Sequence, residues 1–140
     1  MVLMQTMIIN DSRAMRQFLE DIVNSYDDCE IMGSYFDATV ALDDLKIKRP
    51  DVILLDLEMP KMDGITFLDK LKNKKYPTIV VSNYASDGSE IVNDALALGA
   101  VDSLKPPPSN SKKDFEDFKN LLHHKLAKAS LKSQRYTLGN

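Results

Sequence analysis

"VILLDLEMPKMDG", Val52 to Gly64, runs four apolar residues straight into Asp56. Glu58 stands two residues on, then Pro60, then a Met-Asp-Gly turn. A short run that is apolar throughout, closed by turn residues, predicts a strand buried on both faces. A carboxylate at the end of such a strand has two readings. It is a strand-ending turn residue, or the fold presents it there for chemistry.

Working outward, the chain alternates short apolar runs with apolar residues at helical spacing. "TMII" (Thr6 to Ile9) is a β-branched run that ends on Asn10-Asp11. Met15, Phe18, Leu19, Ile22, Val23 and Tyr26 then follow one stripe of a helix. "CEIMGSY" (Cys29 to Tyr35) is a partly polar strand suited to a place near a sheet edge. Phe36, Val40, Leu42, Leu45 and Ile47 predict a second helix with Asp37 near its start as a cap. It stops before Pro50, because the residue preceding a proline avoids helical angles. A third helix follows Gly64 with Ile65, Phe67, Leu68 and Leu71, and "KNKK" (Lys72 to Lys75) places cations at its end. "PTIVVS" (Pro77 to Ser82) is another buried strand. Ile91 to Leu98 give a fourth helix with Gly99 as its C-cap, and "AVDSL" (Ala100 to Leu104) a short last strand. Phe115 to Ala129 give a fifth helix, beyond which the chain turns polar and aperiodic.

The order βαβαβαβαβα with doubly apolar strands predicts an α/β fold with a parallel sheet covered on both sides. Ligands of such sheets bind beyond the carboxyl ends of the strands. Asn10-Asp11, Asp56, Ser82 and Lys105 end or follow four different strands, so four polar groups converge on one edge.

The chain has 140 residues, 44% hydrophobic and 28% charged, the mix of one ordinary globular domain. A net charge of −3 gives no electrostatic footprint for nucleic acid. Cys29 is the sole cysteine, so no intrachain disulfide forms, and it reads as a small core residue. "MVLMQTMII" is too short for a membrane span and lacks the charged start of a signal peptide. The reading is a cytoplasmic protein without membrane insertion.

Two carboxylates at the ends of adjacent strands repel unless one is protonated or a cation lies between them. For Asp11 and Asp56 the natural occupant is a hard divalent ion such as magnesium, with Asn10 as a further contact, direct or through water. Asp56 could also be a nucleophile toward a phosphoryl group, with magnesium and Lys105 neutralising charge on its oxygens. The Ser82 hydroxyl could donate to one of them. Taken singly each residue has an ordinary role: Asp56 a turn, Asn10-Asp11-Ser12 a helix cap, Ser82 a loop hydroxyl, Lys105 a solvent-facing cation. His123 and His124 read as solvated positions of the last helix.

"NDSRAMRQFLEDI", "PDVILLDLEMPKMDGITFLDKL", "TIVVSNYAS" and "ALALGAVDSLKPP" resemble the receiver domain of two-component response regulators. Within that family the wording is closest to the receivers of CheB-type chemotaxis protein-glutamate methylesterases. The resemblance spans about residues 5–127, and leaves 128–140 as a polar tail or a truncated linker to a missing effector. It implies a flavodoxin-like (CheY-like), doubly wound sheet of five parallel strands in the order 2-1-3-4-5 with five helices. It implies Asp56 as phosphoacceptor, and magnesium held by Asp11, Asp56, the backbone carbonyl of Glu58 and, through water, Asn10. Ser82 becomes the switch hydroxyl and Lys105 the phosphate-contacting lysine, with a cis bond to Pro106. Glu58 and Tyr84 fall where the family varies phosphoryl lifetime. The implied partners are a CheA-like histidine kinase and the chain's own C-terminal effector domain. The domain would be a signalling switch, not an enzyme in its own right.

Three departures from the family pattern stand out. Asn10 replaces a usual acid, which predicts weaker magnesium binding. Asn83 replaces a small residue beside Ser82 and narrows access. No aromatic precedes Lys105 in the short last strand. Two rival readings remain open: a degenerate receiver that binds proteins without phosphate, and a haloacid-dehalogenase-like phosphatase. The second wants an aspartate where this chain has Glu58.

Overall fold

The computed structural model describes residues 2–59, 62–71, 76–83, 85 and 89–133. Among them five strands alternate with five helices. They are β1 (Met4–Ile9), α1 (Arg13–Asn24), β2 (Cys29–Tyr35), α2 (Ala38–Asp44), β3 (Val52–Asp56), α3 (Gly64–Leu71), β4 (Thr78–Val81), α4 (Glu90–Ala97), β5 (Asp102–Leu104) and α5 (Lys112–Ser130). The strands form one parallel sheet in the order β2-β1-β3-β4-β5, as the family resemblance implies.

The doubly apolar strands feed two separate cores by simple alternation. In β3, Ile53 and Leu55 point into one core and Val52 and Leu54 into the other. The first core is closed by Ala38 and Ala41 of α2, Phe67, Leu68 and Leu71 of α3, and Val92 and Ala95 of α4. The second is closed by Leu19, Ile22 and Val23 of α1 with Phe118, Leu122, Leu126 and Ala129 of α5. β2, the more polar strand, lies at one edge, as its composition predicts.

Local signals set most boundaries. Ser12 caps α1 by accepting the Met15 N–H at 3.2 Å, and Asp37 caps α2 by accepting the Thr39 N–H at 2.8 Å. Gly99 takes φ +110° just past α4, the left-handed geometry of a C-terminal cap. The second helix differs from the periodic reading. It ends at Asp44, and Phe36, Val40 and Ile47 are exposed while Ala38, Ala41 and Leu45 are buried. The small alanines let this helix lie close against the sheet, which turns the larger residues outward.

α5 runs past the expected limit of the domain. It continues to Ser130, and Ala129, Ser130 and Ser133 are buried. The "KNKK" segment, Pro60 and Tyr84 lie outside the described residues.

Candidate functional site

The sheet carries its strand ends to a shared edge. Ile9 pairs with Leu55, and Asp56 pairs with Val81, so the residues after β1 and β4 flank the end of β3. Asn10 is fixed from three sides. Its N–H donates to the Tyr35 carbonyl at 2.9 Å, its side-chain oxygen accepts the Ser12 N–H at 2.9 Å, and Arg16 Nη1 donates to its carbonyl at 2.9 Å. Ser12 caps α1 as the cap reading expects, and Asn10 orders the same turn. The turn that starts α1 is what presents Asp11.

These ends surround a cavity of about 270 Å³ lined by Asn10, Asp11, Ser12, Met15, Asp56, Glu58, Val81, Ser82, Asn83 and Pro106. With a water occupying about 30 Å³ of liquid, it has room for a hydrated ion and a phosphoryl group. Gly64 makes a close approach to the end of β3. A Cβ there would meet the Leu57 Cα at 2.7 Å and the Asp56 carbonyl at 2.8 Å, so only glycine lets α3 start against the end of β3.

Asp56 sits partly buried in this cavity, and its pKa is pushed up to about 7. Burial is the largest cause, and the neighbouring Glu58 and Asp11 carboxylates add to it. The Glu58 N–H donates to Asp56 Oδ1 at 3.1 Å and works in the opposite direction. Asp56 interacts with the side chains of both Asp11 and Glu58, and all three line one cavity as an all-oxygen set. That is the donor chemistry of a hard divalent cation.

Ser82, just after β4, is almost wholly buried, and its hydroxyl donates to Glu58 Oε1 at 2.7 Å. This hydrogen bond to Ser82 is absent from the sequence reading, which gives Glu58 a backbone contact to magnesium and a place among the positions that vary phosphoryl lifetime. The residues are 24 apart in sequence. Lys105 follows β5, is exposed and does not line the cavity; its neighbour Pro106 does. The expected cis Lys105–Pro106 bond is corrected: no peptide bond among the described residues is cis. The trans preference of an X–Pro bond, about 0.5–1 kcal/mol, is not overcome at this position. β5 holds no aromatic residue. Instead Lys125 of α5 donates to Asp102 Oδ1 and to the Ser103 carbonyl, both at 2.8 Å.

A family model described as the response regulator receiver domain matches residues 6–112. The chain belongs to that family. This receiver is 37% identical over 135 residues to a protein-glutamate methylesterase/protein-glutamine glutaminase 2 of Shewanella sp. strain MR-4, covering 94% of the chain and 38% of the relative. Against the Escherichia coli K12 protein-glutamate methylesterase/protein-glutamine glutaminase the identity is 37% over 131 residues, covering 91% and 38%. The receiver thus spans about two fifths of the length of these curated relatives. Among solved structures it is similar to the response regulator domain of Thermotoga maritima CheB, with TM-score 0.80 and 32% identity, covering 91% of this chain and 96% of that one. It is a CheB-like receiver domain. No helix among its described residues is long and apolar enough to cross a membrane.

Proposed function

We propose that this receiver is a phosphorylation switch in which Asp56 accepts a phosphoryl group from a CheA-like histidine kinase. The observation that carries this reading is Asp56 itself. It is a partly buried carboxylate at the end of a central strand, opposite Asp11 and Glu58, with its pKa pushed up to about 7. A carboxylate held that way binds a cation strongly and is poorly solvated, as a nucleophile should be.

Asp11, Asp56 and the Glu58 carbonyl would hold magnesium, with Asn10 acting through a water. When bound, the ion neutralises the carboxylates and the charge on the phosphoryl oxygens. The protein's own part is orientation. The Asp56 carboxylate forms the new O–P bond as the P–N bond to the kinase imidazole breaks, and the imidazole leaves with the electron pair and takes up a proton. Ser82 is within the cavity to donate its hydroxyl to a phosphoryl oxygen once it leaves Glu58. Lys105, exposed outside the cavity, would have to turn inward from beyond β5 to supply a further cation. Asn10 in place of an acid leaves one negative charge fewer, so magnesium binds more weakly than in a receiver with an acid there.

The output follows from the company this domain keeps. Its relatives are named as methylesterase/glutaminase proteins more than twice its length. The phosphorylated surface would control a C-terminal effector of that class, joined beyond residue 133. The test is intact mass after incubation with acetyl phosphate and magnesium. One added phosphoryl group is expected, lost in Asp56→Asn and without magnesium. A beryllofluoride-binding assay guards against a labile adduct. No adduct and no beryllofluoride binding would refute the switch and leave a receiver that acts without phosphate.

A further inference from the structure

At the opposite edge of the sheet from Asp56, three side chains of different ligating chemistry meet. Cys29 opens β2, Asp28 precedes it, and His123 comes from α5. His123 Nε2 lies 2.8 Å from Asp28 Oδ1 and 3.1 Å from Oδ2, and the Cys29 thiol points at the same Oδ1 from 3.4 Å. One ligand atom from each residue lies within 4.8 Å of the others. The imidazole is held in place by Tyr26, whose ring stacks on it at 4.5 Å and whose hydroxyl donates to the Lys119 carbonyl of α5.

We propose that Asp28, Cys29 and His123 form a binding site for a zinc-class divalent ion, separate from the oxygen-lined site at Asp56. A tetrahedral ion at its usual bond lengths holds sulfur, nitrogen and oxygen ligands about 3.3–3.6 Å apart. The carboxylate already stands 2.8 Å from the imidazole nitrogen and 3.4 Å from the sulfur, so those edges need to open by only tenths of an ångström. A thiolate and an imidazole select a borderline ion, and magnesium, which wants oxygen and an octahedron, is excluded. The fourth position faces solvent, since the Asp28 and His123 side chains are 37% and 41% exposed while Cys29 is buried. On binding, the S–H proton leaves to water as the S–metal bond forms. His123 gives its Nε2 lone pair and keeps its proton on Nδ1.

The test uses the whole chain with millimolar magnesium present, and cobalt and zinc as probes. One equivalent of cobalt should give a thiolate-to-metal charge-transfer band and the intense visible bands of a tetrahedral ion. Zinc should displace it and raise the melting temperature. Cys29→Ala should abolish the charge-transfer band, and His123→Gln should weaken zinc binding at least tenfold, while His124→Gln leaves both unchanged. His123 is partly exposed, so His123→Gln decides the matter if Cys29→Ala does not fold. Cobalt binding without a thiolate band, zinc binding unaffected by His123→Gln, or loss of binding in His124→Gln would each overturn the site.

Discussion

Asp56 must be ionised to attack, yet its surroundings hold a proton on it up to about pH 7. Without metal, the folded chain binds that proton more tightly than the unfolded chain, whose carboxyl has the ordinary value of 3.8. The resulting contribution to stability is complete below that ordinary value and is lost as pH rises through 7. Melting in EDTA should therefore fall in temperature between pH 5 and pH 8, and Asp56→Asn should remove most of that slope. Magnesium acts on the ionised form, so its stabilising increment should grow over the same range; a pH-independent increment would mean the ion binds elsewhere. Glu58 is a cause of the raised value through both its hydrogen bond and its charge. In Glu58→Gln the Asp56 carboxyl, followed by NMR in EDTA, should titrate lower than in the parent. An unchanged midpoint would leave burial and Asp11 as the explanation. The convergence of Asp11, Asp56 and Ser82 was legible in the sequence because each ends or follows a buried strand, and parallel strands end on one edge. The Ser82–Glu58 hydrogen bond was not, because it depends on how the loop after β3 folds back across 24 residues. The outward placement of Lys105 matches its ordinary reading as a solvent-facing cation, and the structure does not bring it into the cavity.

Among the elements, β5 is the shortest strand, and its sequence shows plainly that the family's aromatic is missing. What holds this strand to its neighbouring helix came only with the structure, because it lies on α5. Lys125 reaches across to both Asp102 and the Ser103 carbonyl, and clamps helix to strand at one edge of the sheet. Hydrogen bonds to charged groups contribute about 1.5–3 kcal/mol when shielded, less as solvent screens them. Lys125 is 19% exposed and Asp102 34%. Lys125→Met keeps an aliphatic stem and removes only the charged head. It should cost about 1–2 kcal/mol, read as a lower denaturant midpoint at unchanged slope. Combined with Asp102→Asn, the two losses should fall short of additive; full additivity would show that the pair does not act as one clamp. The helices show the same limit of local reading. Periodicity finds α1 and α5 because their large apolar residues form one stripe. It misplaces the face of α2, where burial follows Ala38 and Ala41 and the large residues Phe36 and Ile47 stay outside.

At the scale of the whole molecule, the two cores share one sheet, and the chain's last described turn ties α5 to the base of that sheet. Asp51, fully buried just before β3, accepts the Gln5 N–H at 2.8 Å and the Ser133 hydroxyl at 3.1 Å. Its own N–H donates to the Gln5 carbonyl at 2.7 Å, so one residue joins β1, β3 and the end of α5. Composition hides this, because "KASLKS" reads as polar linker while its small serines are of the size that fits into a packed corner. The domain limit expected at residue 127 would cut through the joint. We propose that the folded unit extends to Ser133. Ser133→Ala removes one donor from a buried carboxylate and should cost about 1–2 kcal/mol. A chain ending at residue 127 also loses Ala129 from the second core and should cost more than Ser133→Ala alone. Denaturant unfolding of the two variants beside the 140-residue chain decides between the limits. If the shortened chain matches the parent, the unit ends at 127 and the contact with Asp51 is incidental. If it loses more than Ser133→Ala does, any effector joined beyond residue 133 is attached to the sheet through Asp51. A change in the receiver would then reach that effector through packed structure, not through a slack tether.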